Sequence, residues 1–144
     1  MKYLNEELIL IIDFGSQVTQ LIARRLRELN IYCEIKPYKN INKNFFHKHK
    51  PKGIIFSGGP SSVTSSNFPK LPLNIFKLKI PILAICYGQQ LMAKMLGGQV
   101  INTKTSSEFG KSFIFKKYNS PLIKGLFNKK KEQVWMSHGD IVSK

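Results

Sequence analysis

Residues 8–16 read Leu-Ile-Leu-Ile-Ile-Asp-Phe-Gly-Ser, a continuous apolar run that ends in a polar turn. The five apolar residues do not alternate with polar ones, which favours a strand buried on both faces of a parallel sheet. Ser16 stands just before a helical pattern, so we expect its side chain to cap that helix. The stretch therefore predicts the first strand and the first strand-to-helix turn of an α/β fold.

A helix and a second strand follow this turn. Apolar residues recur at helical spacing and predict one buried stripe made of Val18, Leu21, Ile22, Leu26 and Leu29. Arg24 and Arg27 point away from that stripe, and Asn30 can end the helix. Residues 31–35 then predict a strand that Pro37 stops. The unit is β-α-β, and we expect a right-handed crossover.

The rest of the chain continues this pattern and then changes. Further strands are predicted at residues 53–57, 81–85, 99–101, 111–117 and 133–136. A helix follows Cys86 and ends at Gly97-Gly98, and another is expected around residues 73–78. Residues 40–51 are polar and show no clear period. We predict an α/β fold with an open, mostly parallel sheet of the flavodoxin or Rossmann kind and helices on both faces.

Composition narrows the classes of function. The chain has 144 residues, 42% of them hydrophobic, which suits one ordinary domain, and no linker or repeat divides it. Its formal net charge is +15, but the lysines are scattered and the arginines are few, so solvated surface charge is favoured over a nucleic-acid site. The apolar runs are too short to cross a membrane, and no export signal precedes them. We therefore expect a cytoplasmic protein in which Cys33 and Cys86 remain thiols.

Cys86 is the first candidate for chemistry because it falls between a buried strand and a helix start. Such a junction forms a tight turn of the nucleophile-elbow type, and Gly88 leaves room for it. The helix start would bring unpaired backbone N–H groups near the sulfur, and the Tyr87 N–H would face a developing oxyanion. The alternative is a buried, inert cysteine, which is common for this residue type.

The second candidate is the glycine pair Gly58-Gly59, which follows another predicted strand. Two glycines allow the backbone to approach a ligand closely and to turn an N–H group into a site. Together with the Tyr87 N–H, this group would complete an oxyanion hole. There are two alternatives. One is a pyrophosphatase-type nucleotide loop, which needs an acidic residue and a serine after the glycines, where Pro60 and Ser61 stand; the other is a purely structural turn.

Longer segments resemble a known family. They are residues 11–17 (Ile-Ile-Asp-Phe-Gly-Ser-Gln), 57–63 (Ser-Gly-Gly-Pro-Ser-Ser-Val), 85–88 (Ile-Cys-Tyr-Gly), 108–110 (Glu-Phe-Gly) and 134–140 (Val-Trp-Met-Ser-His-Gly-Asp). In order and spacing, across nearly the whole chain, these segments are similar to the class I (type 1) glutamine amidotransferase domain of the GMP synthase family. In that family the domain hydrolyses glutamine, and the ammonia serves to convert XMP to GMP in purine biosynthesis.

The resemblance implies roles for particular residues. Cys86 would be the thiol nucleophile, and the backbone N–H groups of Gly59 and Tyr87 would hold the oxyanion. The glutamine substrate would be bound by Gly58, Gln90, Ser137 and His138. No metal or cofactor is expected in residues 1–144, since ATP and magnesium belong to the family's synthetase domain.

The resemblance also shows what these 144 residues do not contain. In the family a His-Pro-Glu segment supplies the general base and the carboxylate that orients it, and no such segment occurs here. His138 and Asp140 imitate that pair, but the resemblance assigns their segment to the glutamine pocket. Smaller departures are Ala84 for glycine, Gln89 for methionine and Ser107 for arginine.

We therefore expect residues 1–144 to form a partial amidotransferase domain that lacks its C-terminal part as well as the synthetase and dimerisation domains. Such a chain would be inactive alone, so whether it is an enzyme stays open. The alternative is a non-catalytic module that keeps the glutamine pocket and docks on a separate synthetase subunit. Nucleic-acid binding ranks last among the functions considered.

Overall fold

A computed structural model describes residues 7–71, 74–102, 108–127 and 130–143. The chain divides into two compact units, one formed by Met1–Ile101 with Val142–Lys144 and the other by Asn102–Ile141. Among the residues described, no helix is both long enough and apolar enough to span a bilayer.

The first unit is built on a parallel four-stranded sheet. Its strands are β1 (Ile9–Asp13), β2 (Cys33–Pro37), β3 (Gly53–Phe56) and β4 (Ile82–Ala84), in the spatial order β2-β1-β3-β4. β1 lies in the centre, with Ile11 opposite both Ile35 and Ile55. β1, β3 and β4 agree with the apolar runs to within one residue, β2 lies two residues later than the predicted 31–35, and the predicted parallel α/β fold is confirmed. Pro37 can belong to β2 because β2 is an edge strand. Proline lacks a backbone N–H, and at the sheet edge that N–H is not needed for a hydrogen bond to a second neighbouring strand.

Helices cover both faces of this sheet, as predicted. They are α1 (Thr19–Glu28), α2 (Lys43–His49) and α3 (Tyr87–Met95), with short 3₁₀ turns at Tyr38–Asn40 and Ile75–Leu78. Leu10 and Ile12 of β1 pack into a cluster with Phe46 of α2 and Leu91 of α3. Ile11 points to the other face, where it packs with Ala23 of α1. The continuous apolar run of β1 is therefore explained by burial on both sides.

Two details of α1 differ from the prediction. Its buried face is centred on Thr19 and Ala23, whereas Val18, Leu21 and Leu29 are about half exposed or more. Ile22 and Leu26 of the predicted stripe do pack beside Ala23, which is small enough to lie fully buried against the sheet. Ser16 does not cap α1, whose N-cap is Val18 without a side-chain bond. The Ser16 Oγ instead accepts the Val18 N–H at 3.2 Å, in the turn that leads to the helix.

The helix α2 was not predicted, and the helix expected around residues 73–78 is shorter. Asn42 begins α2, since its side chain accepts the Phe45 N–H at 3.0 Å. Because Phe46 is the only buried residue of α2, no helical period was visible. Residues 75–78 form a single 3₁₀ turn, while Leu73 lies outside the described residues.

The second unit contains an antiparallel ribbon of β6 (Glu108–Phe115) and β7 (Lys131–His138). A 3₁₀ turn at Pro121–Ile123 lies between these two strands in the chain. β7 extends the predicted run of residues 133–136 by two residues at each end, whereas β6 begins three residues earlier and ends two residues earlier than the predicted 111–117. The exposed face carries large aromatic side chains, namely Phe109, Phe113, Phe115 and Trp135. Two short strands, β5 (Val100–Asn102) and β8 (Asp140–Val142), lie where the chain passes from one unit to the other.

A matched pair of leucines tests where the core lies. Leu10 is fully buried, with 0% of its side chain exposed, whereas Leu29 at the end of α1 is 69% exposed. We expect Leu10→Ala to lower the free energy of unfolding by about 2–5 kcal/mol, because it removes transfer free energy and leaves a cavity. Leu29→Ala should change it by no more than about 0.5 kcal/mol. Urea titrations of both variants measure the difference, and equal losses would place Leu10 outside the core.

Candidate active site

Cys86 occupies a strained turn between β4 and α3. Its backbone has φ 51° and ψ −115°, a conformation that residues with a side chain rarely adopt and that costs about 1–3 kcal/mol. The neighbouring backbone holds it there: the Ile85 N–H donates to the Phe56 carbonyl at 3.0 Å, and the Gly88 N–H donates to the Ser57 carbonyl at 3.1 Å. The predicted strand-to-helix turn at Cys86 is thus confirmed, and Cys86 is exposed, so the alternative of a buried cysteine is wrong.

Gly88 makes this turn possible because it lies against the end of β3. A Cβ atom on Gly88 would lie 2.5 Å from the Phe56 Cβ and 2.8 Å from the carbonyl oxygens of Phe56 and Ser57. Two of these atoms belong to the backbone and cannot move aside easily. Only glycine allows α3 to begin so close to the sheet.

The glycine pair that follows β3 lies beside Cys86. A Cβ built on Gly58 would be 3.5 Å from the Cys86 Cβ and 3.5 Å from the Ser16 Oγ. A Cβ on Gly59 would be only 2.6 Å from the Phe14 carbonyl oxygen. The ends of β1, β3 and β4 therefore meet at one edge of the sheet, the position where open α/β sheets bind their ligands.

Two backbone N–H groups near Cys86 are available to a ligand. Within the described part of the chain, the N–H groups of Gly59 and Tyr87 have no hydrogen-bond partner. Tyr87 is the first residue of α3, so the lack of an intrahelical partner follows from its position. Its side chain is buried and donates a hydrogen bond to the Pro69 carbonyl, and burial raises the pKa of the phenol. The ring is therefore structural, and only the backbone of Tyr87 is offered to the site.

Two residues that support the site were not singled out from the sequence. Asp13 accepts hydrogen bonds from the Gly15 N–H and the Thr19 hydroxyl, each at 2.9 Å, and so shapes the turn after β1. Ser57 is fully buried and bonds to both Phe14 and Gly58. The available signal was in both cases a polar residue at the end of an apolar strand, which for Ser57 stands immediately before a glycine pair.

The other predicted site residues lie in different places. Gln90 is on α3, four residues after Cys86, and is 7% exposed. Ser137 and His138 belong to β7 of the second unit, opposite Phe109 and Glu108 respectively. In the same unit the Asp140 carboxylate accepts a hydrogen bond from the Asn102 amide at 2.7 Å. The roles assigned to these residues, and to Cys86, Gly58, Gly59 and Tyr87, remain predictions.

The remaining histidines are distant from Cys86 along the sheet. His47 and His49 end α2, which leads into the amino end of β3, and His49 stacks on Phe45 at 4.4 Å. They therefore lie at the edge opposite the one where β4 ends. No group of three or more His, Cys, Asp or Glu side chains that could hold a metal occurs among the residues described.

The site therefore consists of an exposed thiol in a strand-to-helix turn, beside a glycine loop, at the carboxyl edge of a parallel α/β sheet. The sequence profile of the family "Glutamine amidotransferase class-I" matches residues 10–144. The chain belongs to that family. Within it, the sequence is similar to GMP synthases, with 52% identity over 145 residues to the glutamine-hydrolysing GMP synthase of Dinoroseobacter shibae and 55% over 136 residues to that of Cereibacter sphaeroides.

Comparison of the fold with solved structures also indicates a class I amidotransferase domain. A crystal structure of a candidate GMP synthase subunit from Thermoplasma acidophilum superposes with a TM-score of 0.74 at 27% identity, and the match covers 95% of this chain and 67% of that one. The α/β fold is thus of the class I amidotransferase type. The sequence matches cover 100% and 94% of this chain but only 28% and 26% of the Dinoroseobacter and Cereibacter proteins.

The two cysteines differ in a way that labelling can measure. Cys86 is exposed, whereas Cys33 is 3% exposed and its S–H donates to the Ala23 carbonyl at 3.5 Å. We expect iodoacetamide to modify Cys86 at least about tenfold faster than Cys33, since Cys33 reacts only when the fold opens. Peptide mass mapping measures both rates. In urea the two rates should converge, and equal rates in native buffer would contradict the observed turn.

Gly88→Ala tests the close approach of α3 to β3. The added methyl would overlap backbone atoms, so we expect a loss of about 1–3 kcal/mol in the free energy of unfolding. Gln89→Ala is the matched control, because Gln89 is exposed on the next position of the same helix. It should leave stability within about 0.5 kcal/mol of the original. A Gly88→Ala variant as stable as the control would show that the helix start can move freely.

Proposed function

We propose that this chain is the glutaminase part of a GMP synthase and that Cys86 is its nucleophile. The observation that carries the proposal is the exposed Cys86 thiol in a strained turn beside Gly58. Its sulfur attacks the side-chain amide carbon of glutamine, and the C–N bond then breaks. Ammonia departs, and the acyl group remains bound to Cys86 as a thioester. Water then hydrolyses the thioester and releases glutamate.

The negative oxygen formed in each step needs hydrogen-bond donors. The N–H groups of Gly59 and Tyr87, which have no partner within the described residues, are suited to this role. The positive end of α3 adds to their effect, because the helix starts at Tyr87. Two fixed backbone donors can stabilise the negative oxygen without a charged side chain, and the loop at residues 57–62 contains none.

The glutamine itself would be held by Gly58, Gln90, Ser137 and His138. Gly58 offers a surface without a side chain next to Cys86. Gln90 lies in the first turn of α3, and its backbone N–H donates to the Cys86 carbonyl at 3.2 Å. Ser137 and His138 are assigned from the family resemblance.

The ammonia would pass to a synthetase that activates XMP with ATP and magnesium and aminates it to GMP. ATP and magnesium are assigned to that synthetase and not to residues 1–144. The same reaction is possible with the synthetase on a separate chain, on which this chain would dock as a glutamine-binding module. The similarity to the Thermoplasma GMP synthase subunit, of which the match covers 67%, supports this second arrangement.

We expect the 144-residue chain to hydrolyse glutamine negligibly when it is alone. Departure of ammonia needs a proton, and thioester hydrolysis needs a base. The family's His-Pro-Glu segment is not among these residues, and His47 and His49 lie at the opposite edge of the sheet. Loss of the base typically costs about a thousandfold to a millionfold in rate. Glutamate release by the purified chain, beside Cys86→Ala and His138→Ala, measures this.

An extended chain that includes the His-Pro-Glu segment is the positive control, and its activity should depend on Cys86. Turnover by the 144-residue chain that is abolished by both substitutions would overturn the expectation and identify His138 as the base. Turnover unaffected by Cys86→Ala would reject Cys86 as the nucleophile.

A further inference from the structure

Ser57 is a fully buried polar residue whose hydroxyl uses both of its hydrogen-bonding functions. Its side chain is 0% exposed, at the end of β3. The Oγ accepts the Phe14 N–H at 3.0 Å and donates its own proton to the Gly58 carbonyl at 2.8 Å. A buried hydroxyl is costly unless it is paired, so these two bonds are specific features of the loop and not incidental contacts.

The backbone of Ser57 is bonded to the other two loops of the site. Its N–H donates to the Ile12 carbonyl at 3.0 Å, and its carbonyl accepts the Gly88 N–H at 3.1 Å. Ser57 is therefore bonded to the end of β1, to the glycine pair and to the start of α3. A hydroxyl fixed by so many neighbours can hold another group in one orientation.

The group it holds is the peptide that joins Gly58 to Gly59. In a planar trans peptide, the carbonyl and the N–H point in opposite directions. The Ser57 hydroxyl binds the Gly58 carbonyl, so the Gly59 N–H must point away from Ser57. Glycines on both sides would otherwise let this peptide rotate at little cost, because neither carries a Cβ.

We propose that Ser57 is a positioning residue that sets the orientation of the Gly58–Gly59 peptide and thereby presents the Gly59 N–H to the oxyanion. This inference rests on the proposed function, in which that N–H is an oxyanion donor. Without the hydroxyl, the peptide is free to turn over. It then presents a carbonyl oxygen, which repels the developing negative charge.

Two reagents that attack the same sulfur by different routes separate this role from a structural one. A chloroketone analogue of glutamine reacts when the Cys86 sulfur first adds to its ketone carbon, which forms an oxyanion. The sulfur then displaces chloride from the neighbouring carbon, and its bond to the ketone carbon breaks as the carbonyl forms again. Iodoacetamide loses iodide in a direct displacement and forms no oxyanion. The ratio of the two rates at Cys86 therefore reports the oxyanion hole, and it requires no turnover by the chain.

We expect Ser57→Ala to lower the chloroketone rate about 10-fold to 100-fold, while the iodoacetamide rate stays within about twofold. Ser66→Ala, at an exposed serine of the following loop, is the control and should change neither rate. Protection of Cys33 verifies that each variant is folded. Because the alanine variant can lose its fold, Ser57→Cys provides a second test, with a side chain of similar shape but a weaker donor. It should lower the ratio, read at Cys86 by peptide mapping, to a smaller extent.

The outcomes separate the two proposals. An unchanged ratio in folded Ser57→Ala, or in Ser57→Cys when the alanine variant unfolds, overturns the role of Ser57 and leaves the glutamine site intact. An equal fall in both rates also overturns it, because the effect then lies on the sulfur. If the unsubstituted chain shows neither saturation with the chloroketone nor protection by glutamine, the glutaminase assignment fails and the role of Ser57 fails with it.

Discussion

The close approach of α3 to the end of β3 is the constraint on which the site depends. Gly88 has only a hydrogen atom where a Cβ would lie within 3 Å of Phe56 and Ser57. The helix can therefore begin directly against the strand, and only Ile85 and Cys86 connect β4 to α3. Cys86 takes up the resulting turn with a positive φ, and its side chain is left exposed at the edge of the sheet.

The sheet separates stability from chemistry along its length. Its interior consists of apolar residues that are buried on both faces, such as Leu10, Ile11 and Ile12. The carboxyl edge, in contrast, collects hydrogen-bonded polar residues, glycines and one strained cysteine. The strain at Cys86 is tolerated because the hydrogen bonds of Ile85 and Gly88 to the end of β3 hold both sides of the turn. Apolar packing stabilises the interior of the sheet, whereas hydrogen bonds hold the strained turn at its edge, so the fold can accommodate the strain at Cys86.

The second unit shows how little a two-stranded ribbon can bury. In β6 and β7 alternate residues point to opposite faces, and Phe113, Phe115 and Trp135 remain on the exposed one. Within residues 108–127 and 130–141 no second layer covers that face, and isolated two-stranded hairpins are only marginally stable. The Lys131 ammonium lies 4.4 Å from the centre of the Phe113 ring, which covers part of this surface with a charged side chain.

Local patterns in the sequence determined the four strands of the parallel sheet and the turn at Cys86, because an apolar run and a strand-to-helix junction are properties of adjacent residues. The glycine pair and its place at a strand end were equally local. Only the tertiary structure decided that Ala23 rather than Leu21 faces the sheet, that Phe46 supports a helix of its own, and that Ser57 joins the loops after β1, β3 and β4. Phe14 and Ser57 are 43 residues apart, and Ser57 and Gly88 are separated by a further strand. Bonds over such separations arise when parallel strands bring their carboxyl ends to one edge, and no periodicity along the chain records which polar groups will meet there.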